Sequence, residues 1–218
     1  MKSNSLKTTT SSLPFNWYYD HKIFKQENDK IFKSEWIYVC HINSINKNQY
    51  RTLNINNKNI VVIKNKLEEI SIFYNTCLHR GSQIFNDQEG SIKAPVIICP
   101  YHQWSYDIKS GSLLNTTSLI LDKFDKKKYA LKKINFFIWK GLIFVNLKSN
   151  KKFNVKSIFQ YYDSAIDKID LENYSVGHVW KKNVQCNWKI YWENFSECLH
   201  CPNIHPELSD LVPLFKRR

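Results

Sequence analysis

Four side chains with the chemistry to bind a metal ion lie in two short pairs near the middle of the chain. Cys77 and His79 are separated by one residue, Cys99 and His102 by two, and nineteen residues lie between the pairs. A thiolate and an imidazole this close together can grip a metal from a single tight loop. The pattern therefore predicts a metal centre with two sulfur and two nitrogen ligands, assembled from two loops.

Two kinds of metal centre use this ligand set, and the spacing distinguishes them. A structural zinc site with two cysteines and two histidines usually pairs like ligands, as C-x2–4-C and H-x3–5-H. Here each pair is mixed, one cysteine with one histidine. In a Rieske [2Fe–2S] cluster two histidines replace two cysteines on one of the irons, which raises the reduction potential. The spacing favours the cluster; a zinc site and an accidental grouping are the alternatives.

A second group of ligand-forming side chains lies near the end of the chain. The segment from Asn187 to His200 predicts a helix with Asn187 as its N-cap, and Pro202 predicts a break just after it. Glu193, Glu197 and His200 are spaced i, i+4 and i+7, so they would share one face of that helix.

His205 follows the break, on a turn from which it can fold back towards His200. Two histidines and one carboxylate form the facial triad of non-haem Fe(II) oxygenases, which leaves positions open for O2 and substrate. Cys198 and Cys201 allow a zinc alternative with the same histidines. On a helix, however, Cys198 points about 160° away from His200, so both thiols are expected to be packing residues.

Composition limits the classes of function. The net charge of +13 would suit a nucleic-acid-binding protein, but the lysines are spread along the chain, so no nucleic-acid partner is expected. A basic surface could instead steer an acidic electron donor. The sequence has no apolar run long enough to cross a membrane, and Met1 to Ser12 lack the apolar core of a signal peptide. We expect a cytoplasmic protein whose six cysteines serve metal ligation rather than disulfides.

Hydrophobic patterning divides the chain into three parts. Residues 1–35 predict a polar lead followed by a short amphipathic helix. Residues 36–147 predict a small antiparallel β domain, and residues 148–218 the start of a second domain. The predicted strands are Trp36–His41, Gln49–Asn54, Ile60–Lys64, Ile70–Tyr74, Val96–Ile98, a hairpin of Phe136–Trp139 with Leu142–Leu147, and Tyr174–Val184. An apolar stripe at helical spacing, from Val155 to Ile169, predicts one more helix. The fold class expected is α+β.

The motifs resemble those of one known family. Cys77-Leu-His-Arg-Gly-Ser and Cys99-Pro-Tyr-His-Gln-Trp-Ser-Tyr resemble the two cluster loops of Rieske proteins. The stretch from Asn187 to Leu208 resembles the mononuclear-iron motif of Rieske non-haem iron oxygenase α subunits, which include ring-hydroxylating dioxygenases and their monooxygenase relatives. The opening, with Leu13-Pro14 and Glu35-Trp36-Ile37-Tyr38-Val39-Cys40-His41, is similar as well. The resemblance covers nearly the whole chain.

The resemblance implies cofactors and roles for the residues that match its motifs. Cys77, His79, Cys99 and His102 would ligate a Rieske [2Fe–2S] cluster, and His200 and His205 a mononuclear Fe(II). Glu197 would be the bridging carboxylate that links a cluster histidine of one subunit to an iron-ligating histidine of its neighbour in a homotrimer. The second domain would be the beginning of a helix-grip-like α+β catalytic domain.

The same resemblance implies partners and a reaction. A reductase or ferredoxin, linked to NAD(P)H, would deliver electrons to the cluster. The iron would activate O2 to hydroxylate a small organic substrate, either an aromatic ring or a quaternary-amine or N-methyl compound. Glu at position 197, where many relatives have Asp, favours carnitine-, choline- or betaine-type amines.

Three departures from the family pattern bear on function. Gln103 stands where the family usually has Gly, and Leu199 where it often has Tyr. The family's third iron ligand is a carboxylate far downstream, whereas this sequence ends at Arg218, and neither Glu207 nor Asp210 matches that position. We therefore expect the N-terminal portion of an α subunit, incapable of oxygenation by itself. A Rieske-ferredoxin-like electron carrier and an inactive remnant are the alternatives.

Overall fold

The computed structural model describes residues 11–117, 124–148, 159, 166–197 and 200–212. The chain forms two compact units, one of residues 27–179 and the other of residues 1–26 together with 180–218. The N-terminal residues are therefore grouped with the end of the chain rather than with the β-strands that follow them. The domain boundaries at residues 36 and 148 stay predictions.

The larger unit is built from antiparallel sheets. Three sheets have the strand orders β1-β10-β9, β4-β3-β2-β5 and β6-β7-β8. Their strands are β1 (Ile37–His41), β2 (Gln49–Ile55), β3 (Lys58–Lys64), β4 (Ile70–Tyr74), β5 (Glu89–Ser91), β6 (Val96–Ile98), β7 (Ser105–Asp107), β8 (Leu113–Asn115), β9 (Asn135–Trp139) and β10 (Leu142–Asn146). The antiparallel pairing and the accompanying helices confirm the α+β class.

Strand β3 separates two hydrophobic cores. Its side chains alternate between the faces of the sheet, as period-2 strands require. Val61 and Ile63 pack into the core that also contains both candidate ligand cysteines. Ile60 and Val62 pack into the opposite core, with residues of β1 and β10. These four side chains are at most 1% exposed. Strand β3 is therefore the rigid central element that supports the cysteine loops.

Most of the predicted strands are confirmed, with shifts of one or two residues at their ends. The short strands β5, β7 and β8 were not predicted, because three residues carry too little periodicity. The predicted strand Tyr174–Val184 is wrong: these residues, all described, form no strand. Most of the predicted helix between Val155 and Ile169 lies outside the described residues.

The smaller unit contains short helices. A 3-10 turn at Phe15–Tyr18 precedes α1 (His21–Glu27), and α2 (Trp188–Ser196), α3 (Cys201–Ile204) and α4 (Pro206–Leu211) follow near the chain end. Among the described residues, none of the helices is both long and apolar enough to cross a lipid bilayer.

Helix α2 begins where the sequence predicts and ends earlier. The side chain of Asn187 accepts a hydrogen bond from the backbone N–H of Lys189, which confirms the N-cap. The helix stops at Ser196, because Glu197 adopts an extended backbone with φ −106° and ψ 145°. The expectation that Glu193, Glu197 and His200 lie on one continuous helix is therefore wrong, because Glu197 and His200 lie beyond the end of α2.

Candidate metal centres

The first cysteine loop is anchored by Asn75, which directly follows strand β4 and is 1% exposed. Its amide nitrogen donates to Asn59 Oδ1 at 2.7 Å and to the carbonyl of Phe85 at 2.8 Å. Its amide oxygen accepts from the backbone N–H groups of Ile84 and Phe85 at 3.2 and 2.9 Å. One buried side chain thus ties both ends of the loop that carries Cys77 to the sheet.

Two hydrogen bonds close the turn around Cys77. The N–H of Cys77 donates to the carbonyl of Ser82 at 2.8 Å, and the N–H of Gly81 donates to the carbonyl of Cys77 at 3.0 Å. Gly81 has φ +74°, a left-handed conformation that glycine adopts without steric cost.

The loop of Cys99 repeats the same turn. The N–H of Cys99 donates to the carbonyl of Trp104 at 2.9 Å, and the N–H of Gln103 donates to the carbonyl of Cys99 at 3.0 Å. Gln103 has φ +60°, which corresponds to Gly81 in the first loop. This conformation gives a physical reason for the glycine that the family usually has here, and Gln103 keeps the turn at some steric cost.

The two candidate cysteine ligands are buried side by side. Cys77 and Cys99 are each 1% exposed and belong to the same core. Burial raises the pKa of the Cys77 thiol, whereas the hydrogen bond with the hydroxyl of Tyr106, at 2.9 Å, lowers it. A buried thiol pair is costly as thiolates unless a cation neutralises it, so these residues fit a metal that displaces their protons.

The two candidate histidine ligands also form a pair. The ring centroids of His79 and His102 are 4.6 Å apart, and the ring of His79 stacks on Trp104 at 4.3 Å and 6°. Burial, followed by the nearby His102, lowers the pKa of His79, which favours the neutral imidazole that a metal needs. Tyr101 covers the other histidine, with centroids 3.8 Å apart.

A buried polar atom tests whether this site fits a metal. His102 Nδ1 is buried and, among the described residues, has no hydrogen-bond partner. A buried ring nitrogen without a partner costs free energy unless another group binds it. A metal ion bound to this nitrogen would satisfy it, so the donor set fits a [2Fe–2S] cluster with nitrogen ligands.

The second candidate centre pairs a carboxylate with one imidazole and places a second imidazole near the first. Glu197 Oε1 and His200 Nδ1 form a hydrogen bond, and the rings of His200 and His205 have centroids 5.5 Å apart. His205 therefore folds back towards His200, as expected. Because Glu197 occupies Nδ1 of His200, Nε2 is the nitrogen left for a metal, an arrangement common around ligand histidines.

Two cysteines, Cys198 and Cys201, lie near this centre in the sequence. Cys201 is 5% exposed, which fits the interpretation as a packing residue, while Cys198 and Leu199 lie outside the described residues. Across the described part of the chain, Cys, His, Asp and Glu side chains do not converge in groups of three or more suited to one metal ion. The candidate ligands thus come as pairs.

Comparison with known proteins identifies the family. A Rieske [2Fe-2S] domain model matches residues 35–124, and a model of the catalytic domain of ring-hydroxylating alpha subunits matches residues 171–218. This chain belongs to the Rieske non-haem iron oxygenase α-subunit family. The two domains of this family hold a Rieske cluster and a mononuclear iron, so the cofactors expected from the sequence are confirmed.

The most similar relatives include amine oxygenases. The glycine betaine monooxygenase oxygenase subunit of Pseudomonas aeruginosa is 33% identical over 200 residues, which are 90% of this chain and 45% of that protein. The carnitine monooxygenase oxygenase subunit of Acinetobacter pittii is 27% identical over 208 residues, 94% of this chain and 55% of that protein. The chain thus spans about half the length of these curated relatives.

A solved structure supports the same fold. The crystal structure of the quaternary ammonium Rieske monooxygenase CntA in complex with L-carnitine matches with a TM-score of 0.81 and 27% identity, over 90% of this chain and 56% of that one. The fold class and the family expected from the sequence are therefore confirmed.

Sequence reasoning did not assign roles to Trp104, Tyr106 and Asn75. Trp104 and Tyr106 are 2% and 0% exposed and lie one residue apart at strand β7, so both point into the core beside the cysteines. The alternation Trp-Ser-Tyr, which begins two positions after His102, was the available signal. Asn75 gave no such signal, because its role depends on contacts with a neighbouring strand.

Proposed function

We propose that this chain belongs to the oxygenase subunit of a Rieske non-haem iron monooxygenase. The observation that carries the proposal is a pair of matching turns that bring Cys77 and Cys99, and His79 and His102, together inside the matched Rieske domain. The matched catalytic domain that follows supports an oxygenase rather than a Rieske-ferredoxin-like carrier, since a carrier has no use for an iron-binding segment.

In this proposal Cys77 and Cys99 hold one iron of the cluster, and His79 and His102 hold the other. When bound, the cluster supplies one-electron transfer, and the mononuclear iron supplies O2 activation. The hydroxyl of Tyr106 donates a hydrogen bond to Cys77 Sγ and stabilises its negative charge. Stacking on Trp104 fixes the plane of the His79 ring.

His200 and His205 provide two ligands of the mononuclear iron, and Glu197 orients the first of them. The hydrogen bond from His200 Nδ1–H to Glu197 selects the tautomer whose Nε2 can bind metal. Glu197 can also accept an N–H bond from a cluster histidine of a second subunit, which would complete a polar electron route in a homotrimer.

The proposed substrate is a quaternary ammonium compound such as a betaine or carnitine. The names of the relatives, with Glu at position 197, support this class over aromatic rings. A reductase or ferredoxin is the proposed electron donor. A cytoplasmic location and the linkage to NAD(P)H stay predictions.

Metal analysis tests the proposal. Anaerobically prepared protein should be red-brown and contain acid-labile sulfide, and Cys99→Ala should remove both, because one iron loses a thiolate ligand. Cys186→Ala is the matched control, since Cys186 is also a free thiol but is exposed; it should keep the colour and the sulfide. A colourless protein that binds zinc would refute the proposal.

A further inference from the structure

Tyr18 contacts helix α2 at three points. Its backbone carbonyl accepts a hydrogen bond from Asn187 Nδ2 at 3.0 Å, at the start of the helix. Its ring lies 5.9 Å from Lys189 Nζ. Its hydroxyl donates to Glu193 Oε1 at 2.5 Å, and Ser12 Oγ lies 2.8 Å from the same hydroxyl. One residue of the N-terminal segment therefore binds α2 from its N-cap to its middle.

The spacing of these contacts spans most of the helix. Asn187 and Glu193 are six positions apart, which corresponds to about 9 Å along a helix axis. Between them Lys189 is 5% exposed, and its ammonium group lies over the rings of Tyr18 and Trp188 at 5.9 and 5.3 Å. Because the bond from Tyr18 to Glu193 is charge-assisted, it is among the stronger hydrogen bonds.

Glu193 is connected directly to the candidate iron site. The N–H of Glu197 donates to the carbonyl of Glu193 at 3.1 Å, which closes the last turn of α2. Glu197 in turn bonds to Nδ1 of His200. The position of Glu193 therefore fixes the point from which Glu197 reaches its histidine.

We propose that Tyr18 is a positioning residue for the mononuclear iron site: it fastens α2 so that Glu197 and His200 meet in the orientation that leaves Nε2 free for the metal. This inference rests on the proposed function, because it assigns the metal to His200 and His205. The N-terminal segment would thus help to position a metal site formed by residues near position 200, which belong to the same compact unit.

The test compares the 218-residue chain with four variants, all prepared anaerobically with the cluster in place. Tyr18→Phe removes only the hydroxyl. Tyr19→Phe is the matched control, because Tyr19 is 62% exposed and its ring meets Phe15 edge to face. Glu193→Gln keeps an oxygen that can accept from Tyr18. The readouts are the dissociation constant of Fe(II) alone, after subtraction of the binding that remains in His205→Ala, and amide hydrogen exchange in α2.

We expect Tyr18→Phe to weaken Fe(II) binding about tenfold, in line with the effect of residues that orient ligand histidines. Its α2 amides should exchange faster, while the sulfide content stays unchanged. Tyr19→Phe should stay within about twofold of the parent, and Glu193→Gln should retain most of the affinity, because the hydrogen bond survives without its charge.

Separate results would overturn the inference and the proposed function. If the parent binds Fe(II) through His205 and Tyr18→Phe binds it equally well, the positioning role is wrong. If Tyr19→Phe loses as much affinity as Tyr18→Phe, the effect is general loosening and the inference is equally wrong. If the parent shows no Fe(II) binding that depends on His205, the proposed function fails at this site, and the positioning role fails with it.

Discussion

The two compact units differ in how their candidate metal ligands are held. In residues 27–179 the cysteines are 1% exposed and lie in a core that strand β3 shares with its neighbours. In the smaller unit, α2 exposes large aromatic side chains, with Trp192 at 54% and Phe195 at 67%. His200 is held there by a hydrogen bond to Glu197, which is itself partly exposed. The first centre is fixed by packing, and the second by a few polar contacts.

This difference in how the ligands are held indicates how readily each unit can bind its metal. A buried loop with its backbone hydrogen bonds in place needs little reorganisation to take up a cluster. A centre built on exposed polar contacts gains less from each contact, because water competes for the same groups. We therefore expect the chain to assemble its cluster well and to bind Fe(II) weakly, with two histidines as ligands.

The largest effect on stability is expected at Gly141 in the larger unit, where the structure leaves no space for a side chain. Gly141 has φ +81°, and a Cβ there would lie 2.3 Å from His41 Nε2. The His41 ring cannot move away easily, because Nε2 bonds to the carbonyl of Leu171 at 3.0 Å and Nδ1 accepts from the N–H of Asn43 at 3.1 Å. Gly141→Ala should lower the free energy of unfolding by about 2–4 kcal/mol in denaturant titration.

Gly177→Ala is the control for this substitution. In the described part of the chain no atom lies within 4 Å of a Cβ at Gly177, so the change should stay within about 0.5 kcal/mol. If Gly141→Ala and Gly177→Ala lowered the free energy of unfolding equally, the region around Gly141 would not be tightly packed. That result would contradict the account of the larger unit as fixed by packing.

A smaller effect is expected at the cluster itself. Burial and then the hydrogen bond to Cys77 raise the pKa of Tyr106, so its hydroxyl stays protonated and donates to the sulfur. This bond stabilises the reduced cluster more than the oxidised one, because reduction adds negative charge. Tyr106→Phe should lower the reduction potential by about 40–80 mV, the equivalent of about 1–2 kcal/mol for one electron.

Tyr74→Phe provides the matched control in a redox titration. Its hydroxyl bonds to the carbonyl of Leu147 at 3.1 Å, in the opposite core from the cysteines. The potential of this variant should equal that of the parent. A potential that does not change in Tyr106→Phe would mean that this hydroxyl does not contact a cluster ligand.

The smallest effect is expected at the second turn. Gln103 has φ +60°, so Gln103→Gly removes steric strain but increases the entropy of the unfolded chain. The net gain should be about 0.5–1 kcal/mol, measured on the protein with its cluster removed. Gln49→Gly, in strand β2, should have the opposite sign and destabilise by about 0.5–1 kcal/mol. Destabilisation by Gln103→Gly would contradict the steric account of this turn.

Local patterns predicted the parts of the fold that depend on neighbouring residues. The β-branched run of β3 and the mixed ligand pairs were visible in the sequence, because their chemistry lies within a few positions. The predicted strand at Tyr174–Val184 failed because alternation alone does not supply a partner strand. Gln103 could be recognised as a departure from the family, but its left-handed conformation required the structure.

Contacts between distant residues could not be predicted from one sequence. Tyr18 and Glu193 are separated by 175 positions, and no periodicity links them. The same holds for Asn75, whose hydrogen bonds depend on the register between strands. The candidate ligands were therefore accessible from the sequence, whereas the residues that hold them in place were not.

An EPR-monitored redox titration of the anaerobically prepared chain tests the central claim most directly. A cluster with two histidine ligands should titrate between about −150 and +300 mV, whereas a plant-type cluster with four cysteine ligands titrates near about −400 mV. A midpoint in the higher range, lost in Cys99→Ala and kept in Cys186→Ala, is the predicted result. A midpoint near the lower value, or a protein without an EPR signal on reduction, would contradict the assignment of His79 and His102.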